Sequence, residues 1–260
     1  MKIPPFAMIA FLLATTAARA ELVIAHTSFE EPVVPFDGAN SSTSYTDPGD
    51  PLVDHPLPSL GGVNMPVNYS SVGGELGFSA YYTNTRNSIG LTDGDNVGVL
   101  RDYPSLTSQI LDPIDGVQQY TISDGDGKVT VTLDSVNLTG AIAPRVSVDY
   151  WLRSTSWLAT DFGHIWVEID NGNSISEITL LETRPNDIDN LGLENRWTTV
   201  SAPLPSGTIA TLKFELDSTD PSRMMGIDNI RFTAVPEPSA FSACACGLIL
   251  GGHRLRRRRS

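Results

Sequence analysis

Cysteine is absent from the body of this 260-residue chain, because Cys244 and Cys246 both stand near the C-terminus. No disulfide framework holds the body together, and thiol catalysis and cysteine metal sites are excluded there. Basic residues are scarce as well. Of 17 Lys and Arg, two lie in the first twenty residues and five in the last twenty-six. The ten that remain face 29 of the 30 Asp and Glu, so residues 21–234 carry about −19 against −13 for the whole chain. Such a surface repels nucleic acid and attracts divalent cations. No apolar run reaches the about 20 residues that span a bilayer as a helix. No internal segment sustains helical periodicity, and there is neither a Gly-Xaa-Ser-Xaa-Gly elbow nor a His-Glu-Xaa-Xaa-His helix.

What is present is alternation. Val129, Val131 and Leu133 share one face of a strand, and so do Val146, Val148, Tyr150 and Leu152, leaving Ser147, Asp149 and Trp151 outward. Ile165, Val167 and Ile169 point inward from a third strand, opposite His164, Trp166, Glu168 and Asp170. Leu212, Phe214 and Leu216 line a fourth. Asp124-Gly125-Asp126-Gly127, Asp170-Asn171-Gly172 and Pro203 to Gly207 carry turn chemistry. About ten short strands of this kind predict an all-β fold, an antiparallel two-sheet β-sandwich over residues 21–234. Residues 40–68, rich in Pro, Gly, Ser and Asp, read as a long loop. The acidic turns at 92–96 and 124–127 lack the twelfth-position glutamate of an EF-hand and read as hairpin turns.

The two ends have different chemistry. Lys2, the apolar stretch Phe6–Thr15 and Ala18-Arg19-Ala20 have the layout of a signal peptide over residues 1–20, cut by signal peptidase after Ala20. At the other end come Pro236-Glu237-Pro238, the apolar run Ala240–Gly252, and Arg254 with Arg256 to Arg259. This tail, residues 235–260, resembles a PEP-CTERM sorting signal. The resemblance implies that an exosortase-type transpeptidase recognises the Pro236-Glu237-Pro238 box during export. The apolar run is a C-terminal hydrophobic helix of about 20 Å, short of a hydrocarbon core of about 30 Å. It therefore suits transient membrane residence, with the arginines held on the cytoplasmic side.

The body opens His26-Thr27-Ser28-Phe29-Glu30-Glu31 and closes Gly226-Ile227-Asp228-Asn229-Ile230-Arg231-Phe232. These ends resemble the first and last strands of jelly-roll carbohydrate-binding modules. The resemblance implies adjacent terminal strands and one structural Ca²⁺ held by Glu30 and Asp228. Period 2 separately places Asp228 on the face of Ile230 and Phe232, where a carboxylate needs a partner. Asp149 and Trp151 with Trp166 and Glu168 form a ligand platform if their strands are neighbours, since aromatic faces stack on sugar rings. Glu168-Ile169-Asp170 echoes the core of sandwich-fold glycoside hydrolases, but Asn171 and Gly172 follow where a second glutamate belongs. The expectation is an exported cell-surface or matrix protein, not an enzyme, that binds extracellular polysaccharide. A structural surface protein bridged by divalent cations is the alternative, and a glycoside hydrolase or polysaccharide lyase the third reading.

Overall fold

The computed structural model describes residues 21–31, 69–83, 85, 96–101, 110–123, 127–153, 155–220 and 222–236. Ala20, Glu237, Pro238, the signal-like stretch and the apolar tail run (both expected as helices), the stretch 40–68 and most of the two acidic turns lie outside them.

Twelve strands form among the described residues: β1 (Leu22–Thr27), β2 (Phe78–Thr83), β3 (Asn96–Arg101), β4 (Gln118–Ser123), β5 (Gly127–Leu133), β6 (Val136–Asn137), β7 (Ile142–Leu152), β8 (Phe162–Asp170), β9 (Ile175–Glu182), β10 (Thr198–Pro203), β11 (Ile209–Ser218) and β12 (Met224–Val235). One sheet runs β10-β7-β12-β4-β3, with β1 also on β12. The second runs β2-β5-β11-β8-β9, with β6 on β11. All pairings are antiparallel, so the chain is a two-sheet antiparallel sandwich, with β1 and β12 adjacent as expected.

Alternation accounts for β5, where Val129, Val131 and Leu133 are buried while Lys128, Thr130 and Thr132 are half-buried. The inward faces of β8 and β11 follow the same rule. It fails in β4, whose polar sequence Gln-Gln-Tyr-Thr-Ile-Ser is buried at every position, and in the last five residues of β7. Those segments are covered on both faces. Between the sheets, Phe29, Phe78, Tyr120 and Phe214 meet edge to face, with ring centroids 5.4–5.6 Å apart. Phe29 takes a left-handed φ of 61°, a strained backbone for a non-glycine residue, and its ring is fully buried.

The outer face of the first sheet is roofed. The Trp151 indole lies over β12 at Gly226, its cross-strand partner, and donates through Nε1 to Gln119 Oε1 at 2.6 Å. Trp197 packs on it edge-to-face at 6.3 Å and donates to the Asp112 carbonyl at 2.8 Å. Gln119 Nε2 donates to the Leu111 carbonyl at 2.7 Å. A Cβ at Gly226 would fall inside the Trp151 ring. Gly226→Ala should therefore cost about 1–3 kcal/mol or more by overpacking, read as a lower urea midpoint. An unchanged midpoint would mean that the indole does not sit there.

Candidate functional site

β12 changes neighbours halfway along. Met224 to Ile227 pair with β4, whereas Ile230 to Ala234 pair with β1 on the same edge. Asp228 stands at the handover. Asn229 follows with a φ of 49°, and the register with β7 slips between Asp228 and Arg231, which makes a bulge. The bulge turns the fully buried Asp228 carboxylate onto the segment that leads into β4. Its Oδ2 accepts the N–H groups of Ile114 at 2.8 Å and Asp115 at 3.0 Å, and its Oδ1 accepts that of Asn229 at 2.6 Å. Glu30, just past β1, grips the same segment: Oε1 accepts the N–H groups of Val117 at 2.7 Å and Gln118 at 2.6 Å. Gly116 lies between the two grips with a φ of 77°, and a Cβ there would strike the Glu30 carboxyl.

Negative charge accumulates at this junction. Burial pushes the Asp228 carboxyl up to about 7, against three backbone N–H groups that favour its ionised form, and Asp115 adds to the rise. Burial also raises Glu30, against the Val117 and Gln118 N–H groups, with Glu75 and Asp115 contributing. The cation bonded here is Arg231, which pairs with Asp115 at 2.9 Å. The donor set is entirely oxygen and carries more negative than positive charge, which suits a hard cation such as calcium. Among the described residues no three His, Cys, Asp or Glu side chains converge on one point. A cation here would therefore take its remaining oxygens from the backbone.

The outer face of the second sheet is a separate surface, and strand register orders it in rows. Tyr81, Thr130, Glu215, His164 and Glu182 form one row across β2, β5, β11, β8 and β9. Ser79, Thr132, Lys213, Trp166 and Thr179 form the next, and Thr211, Glu168 and Glu177 a third. Tyr81 is 44 % exposed. His164 stacks on Trp166 with centroids 4.3 Å apart and 10° between planes. His164 Nδ1 is 3.7 Å from Glu215, and Nε2 is 3.4 Å from Glu177 and 3.9 Å from Glu182. Lys213 Nζ pairs with Glu168 at 2.7 Å. Arg184 forks onto Glu182 at 2.9 and 2.7 Å and lies over the Phe162 ring.

The structure corrects the four-residue platform expected from the sequence. β7 and β8 belong to different sheets, so Asp149 and Trp151 lie on one outer face of the sandwich and Trp166 and Glu168 on the other. Trp151 is fully covered by the 111–119 segment and Trp197. Asp149 is buried too: it accepts from Thr199 Oγ1 on β10 and from Asn229 Nδ2 at 2.6 Å, which braces the bulge. Trp166 is on the other outer face, 8 % exposed. Asp170 caps the β8–β9 hairpin by accepting the Gly172 N–H at 2.7 Å, so Glu168-Ile169-Asp170 is a strand end and a turn. Tyr81, Lys213 and Glu215 were not anticipated. The alternation that put Val131 and Phe214 inside does place Thr130, Thr132, Lys213 and Glu215 outside, but their rows depend on strand order.

No family model matches the chain, and no curated protein does. Solved structures that align with this chain include TmCBM61 in complex with β-1,4-galactotriose, at 14 % identity over 52 % of this chain and 80 % of that one, TM-score 0.34. The C-terminal family 22 carbohydrate-binding module of Clostridium thermocellum Xyn10B aligns at 12 % identity over 65 % and 92 %, TM-score 0.35. The K2 cleaved adhesin domain of Lys-gingipain aligns at 17 % identity over 60 % and 88 %, TM-score 0.34.

Two carboxyls on the outer face of the second sheet set an acid limit on stability. Burial alone would raise Glu215, but His164, Lys128 and the Thr130 hydroxyl hold it below its ordinary 4.5. Glu182 is likewise held low, by Arg184 and His164 against the rise from burial. A folded-state pKa below the unfolded one contributes stability above the unfolded value, lost as pH falls through the folded one. Thermal melts should therefore drop as pH falls below about 4.5, and Glu215→Gln should flatten that fall. Equal acid slopes in both proteins would contradict the contacts at Glu215.

Proposed function

We propose that the sandwich binds extracellular polysaccharide across the outer face of its second sheet, without turning it over. The observation that carries this reading is the ordered surface itself. An exposed Tyr81 stands at one edge and the His164–Trp166 stack further in, with Ser79, Thr130, Thr132 and Thr211 hydroxyls and the Glu168 and Glu177 carboxylates between and beyond them. An aromatic face against a sugar ring with hydrogen-bonding groups beside it is the chemistry a glycan needs. The signal-like and PEP-CTERM-like ends support export to the cell surface or matrix. Signal peptidase and an exosortase-type transpeptidase are the proposed processing partners, acting at Ala20 and at the Pro236-Glu237-Pro238 box.

A glycan array on the purified protein, with calcium present, should show binding to a polysaccharide class. Tyr81→Ala should weaken it on the order of tenfold, about 1.4 kcal/mol, with the fold unchanged by circular dichroism. If no glycan binds at millimolar concentration, the structural reading, an acidic surface bridged by divalent ions, replaces this one. Release of reducing sugar from a bound polymer would instead establish a hydrolase or lyase.

The junction of β1, β4 and β12 is the proposed calcium site, with Glu30 and Asp228 as side-chain ligands. Bound calcium would neutralise a carboxylate pair whose hydrogen-bond partners are backbone N–H groups, the neighbouring Arg231 being bonded to Asp115. A ligand that binds only the folded state stabilises it by mass action. Calcium should raise the melting temperature, EDTA should lower it, and Asp228→Asn should remove the difference. Superimposable melts with calcium and with EDTA would eliminate the site.

A further inference from the structure

Five of the ten exposed large apolar side chains among the described residues gather at one end of the sandwich: Leu22, Val23, Ile142, Ile175 and Ile209. Strand register puts them there. In the first sheet Leu22 pairs with Ala234 and Ile142 with Val235. In the second, Ile209 lies between Asn137 and Asp170, and Ile175 pairs with Asp170 on the far side. A groove of about 230 Å³ opens between the two sheets at this end, lined by Leu22, Ile24, Asn137, Thr139, Ile142 and Val235 among others. None of its lining residues is charged, although residues 21–234 carry about −19. An apolar, uncharged patch on so acidic a body marks a surface with a partner.

The chain itself says which partner. β12 ends at Val235 and β1 begins at Leu22, so both termini leave from this same end. The apolar run starts at Ala240, five Cα steps from Val235, a reach of at most about 18 Å. While that run sits in a bilayer, this end of the sandwich must lie close to the membrane surface. The acidic remainder is repelled by anionic headgroups, which selects the orientation in which the end with the uncharged groove faces lipid. We infer that the end bearing Leu22, Ile142, Ile175 and Ile209 is a lipid-contacting surface on which the sandwich rests while the terminal segment is inserted. Asp170 stands between Ile209 and Ile175, and Arg145 lies between Pro203 and Thr233, one register step or more inside the end; the proposed glycan face runs along the side of the sandwich. The inference rests on reading the C-terminal tail as a membrane-inserted element.

The test uses the full chain with Cys244→Ser and Cys246→Ser, carrying one cysteine at a time through Ile142→Cys, Ile175→Cys or Tyr81→Cys. Each is labelled with an environment-sensitive fluorophore and mixed with phosphatidylethanolamine–phosphatidylglycerol vesicles. Flotation reports on insertion, and fluorescence reports on the surface. On floated protein, probes at 142 and 175 should shift to the blue and be quenched by spin-labelled lipid, while the probe at 81 keeps its aqueous emission. Aqueous emission at 142 and 175 on floated protein overturns the inference and leaves the tail reading standing. A blue shift that needs no lipid and grows with protein concentration overturns it in favour of a second copy of the chain. Protein that does not float removes the tail reading, and the lipid surface with it.

Discussion

Everything in the first sheet depends on how one carboxylate is accommodated. β12 is the central strand, with β7 along one edge and two different strands, β4 and β1, sharing the other. At the handover between those two, a regular ladder would leave backbone groups without partners. Asp228 stays on the outer face with Gly226 and its partner Asp149, because the bulge breaks the period-2 phase that would have put it with Ile230 and Phe232. There it takes the N–H groups of Ile114 and Asp115, while Glu30 takes those of Val117 and Gln118. Without both carboxylates, the N–H groups of Ile114, Asp115, Val117 and Gln118 lose these acceptors, and an unpaired buried N–H costs about 1–3 kcal/mol.

That segment in turn decides the fate of a whole face. Held down by Asp228 and Glu30, it passes over the outer side of the first sheet. There it receives the Trp197 indole N–H, while Gln119, at the start of β4, takes that of Trp151. The roof buries Trp151 and the polar residues of β4 together, which is why the side chains there are hydrogen-bonded rather than free for a ligand. Asp149 is drawn into the same network, braced by Asn229 on the bulge. Over the second sheet, Thr85 bonds Asp217 and Arg184 lies over Phe162, and Glu215, His164 and Trp166 are buried. Its charged side chains pair with one another instead, Lys213 with Glu168 and Lys128 with Glu215, and leave Tyr81 exposed.

A buried ion pair closes the far side of the β7–β12 region. Arg223 Nε meets Asp161 Oδ2 at 3.1 Å with both side chains almost fully covered, and each also bonds backbone: Arg223 to the Ser156 carbonyl, Asp161 to the Leu158 N–H. Backbone partners on both sides are what make such a pair tolerable in a low-dielectric interior. Together with the Asp228 junction, it shows how an acidic, cysteine-free domain is held together: buried carboxylates tie loops to strand ends, in places where small disulfide-rich domains use disulfides.

The sequence by itself determined the all-β class, the inward residues of β5, β8 and β11, and the hairpin at Asp170-Asn171-Gly172. All of these follow from local chemistry: side chains alternate with period 2, and Asp-Asn-Gly favours a tight turn. The adjacency of β1 and β12 came from resemblance rather than periodicity. Tertiary structure alone decided that β7 and β8 part into different sheets, that Trp151 and Asp149 are roofed, and that Tyr81, Glu215 and His164 share a row. Period 2 says which side chains leave a strand on the same side, but strand order and covering loops are long-range contacts. The same outward alternation therefore roofed Trp151 and Asp149 on one sheet and left Tyr81 exposed on the other.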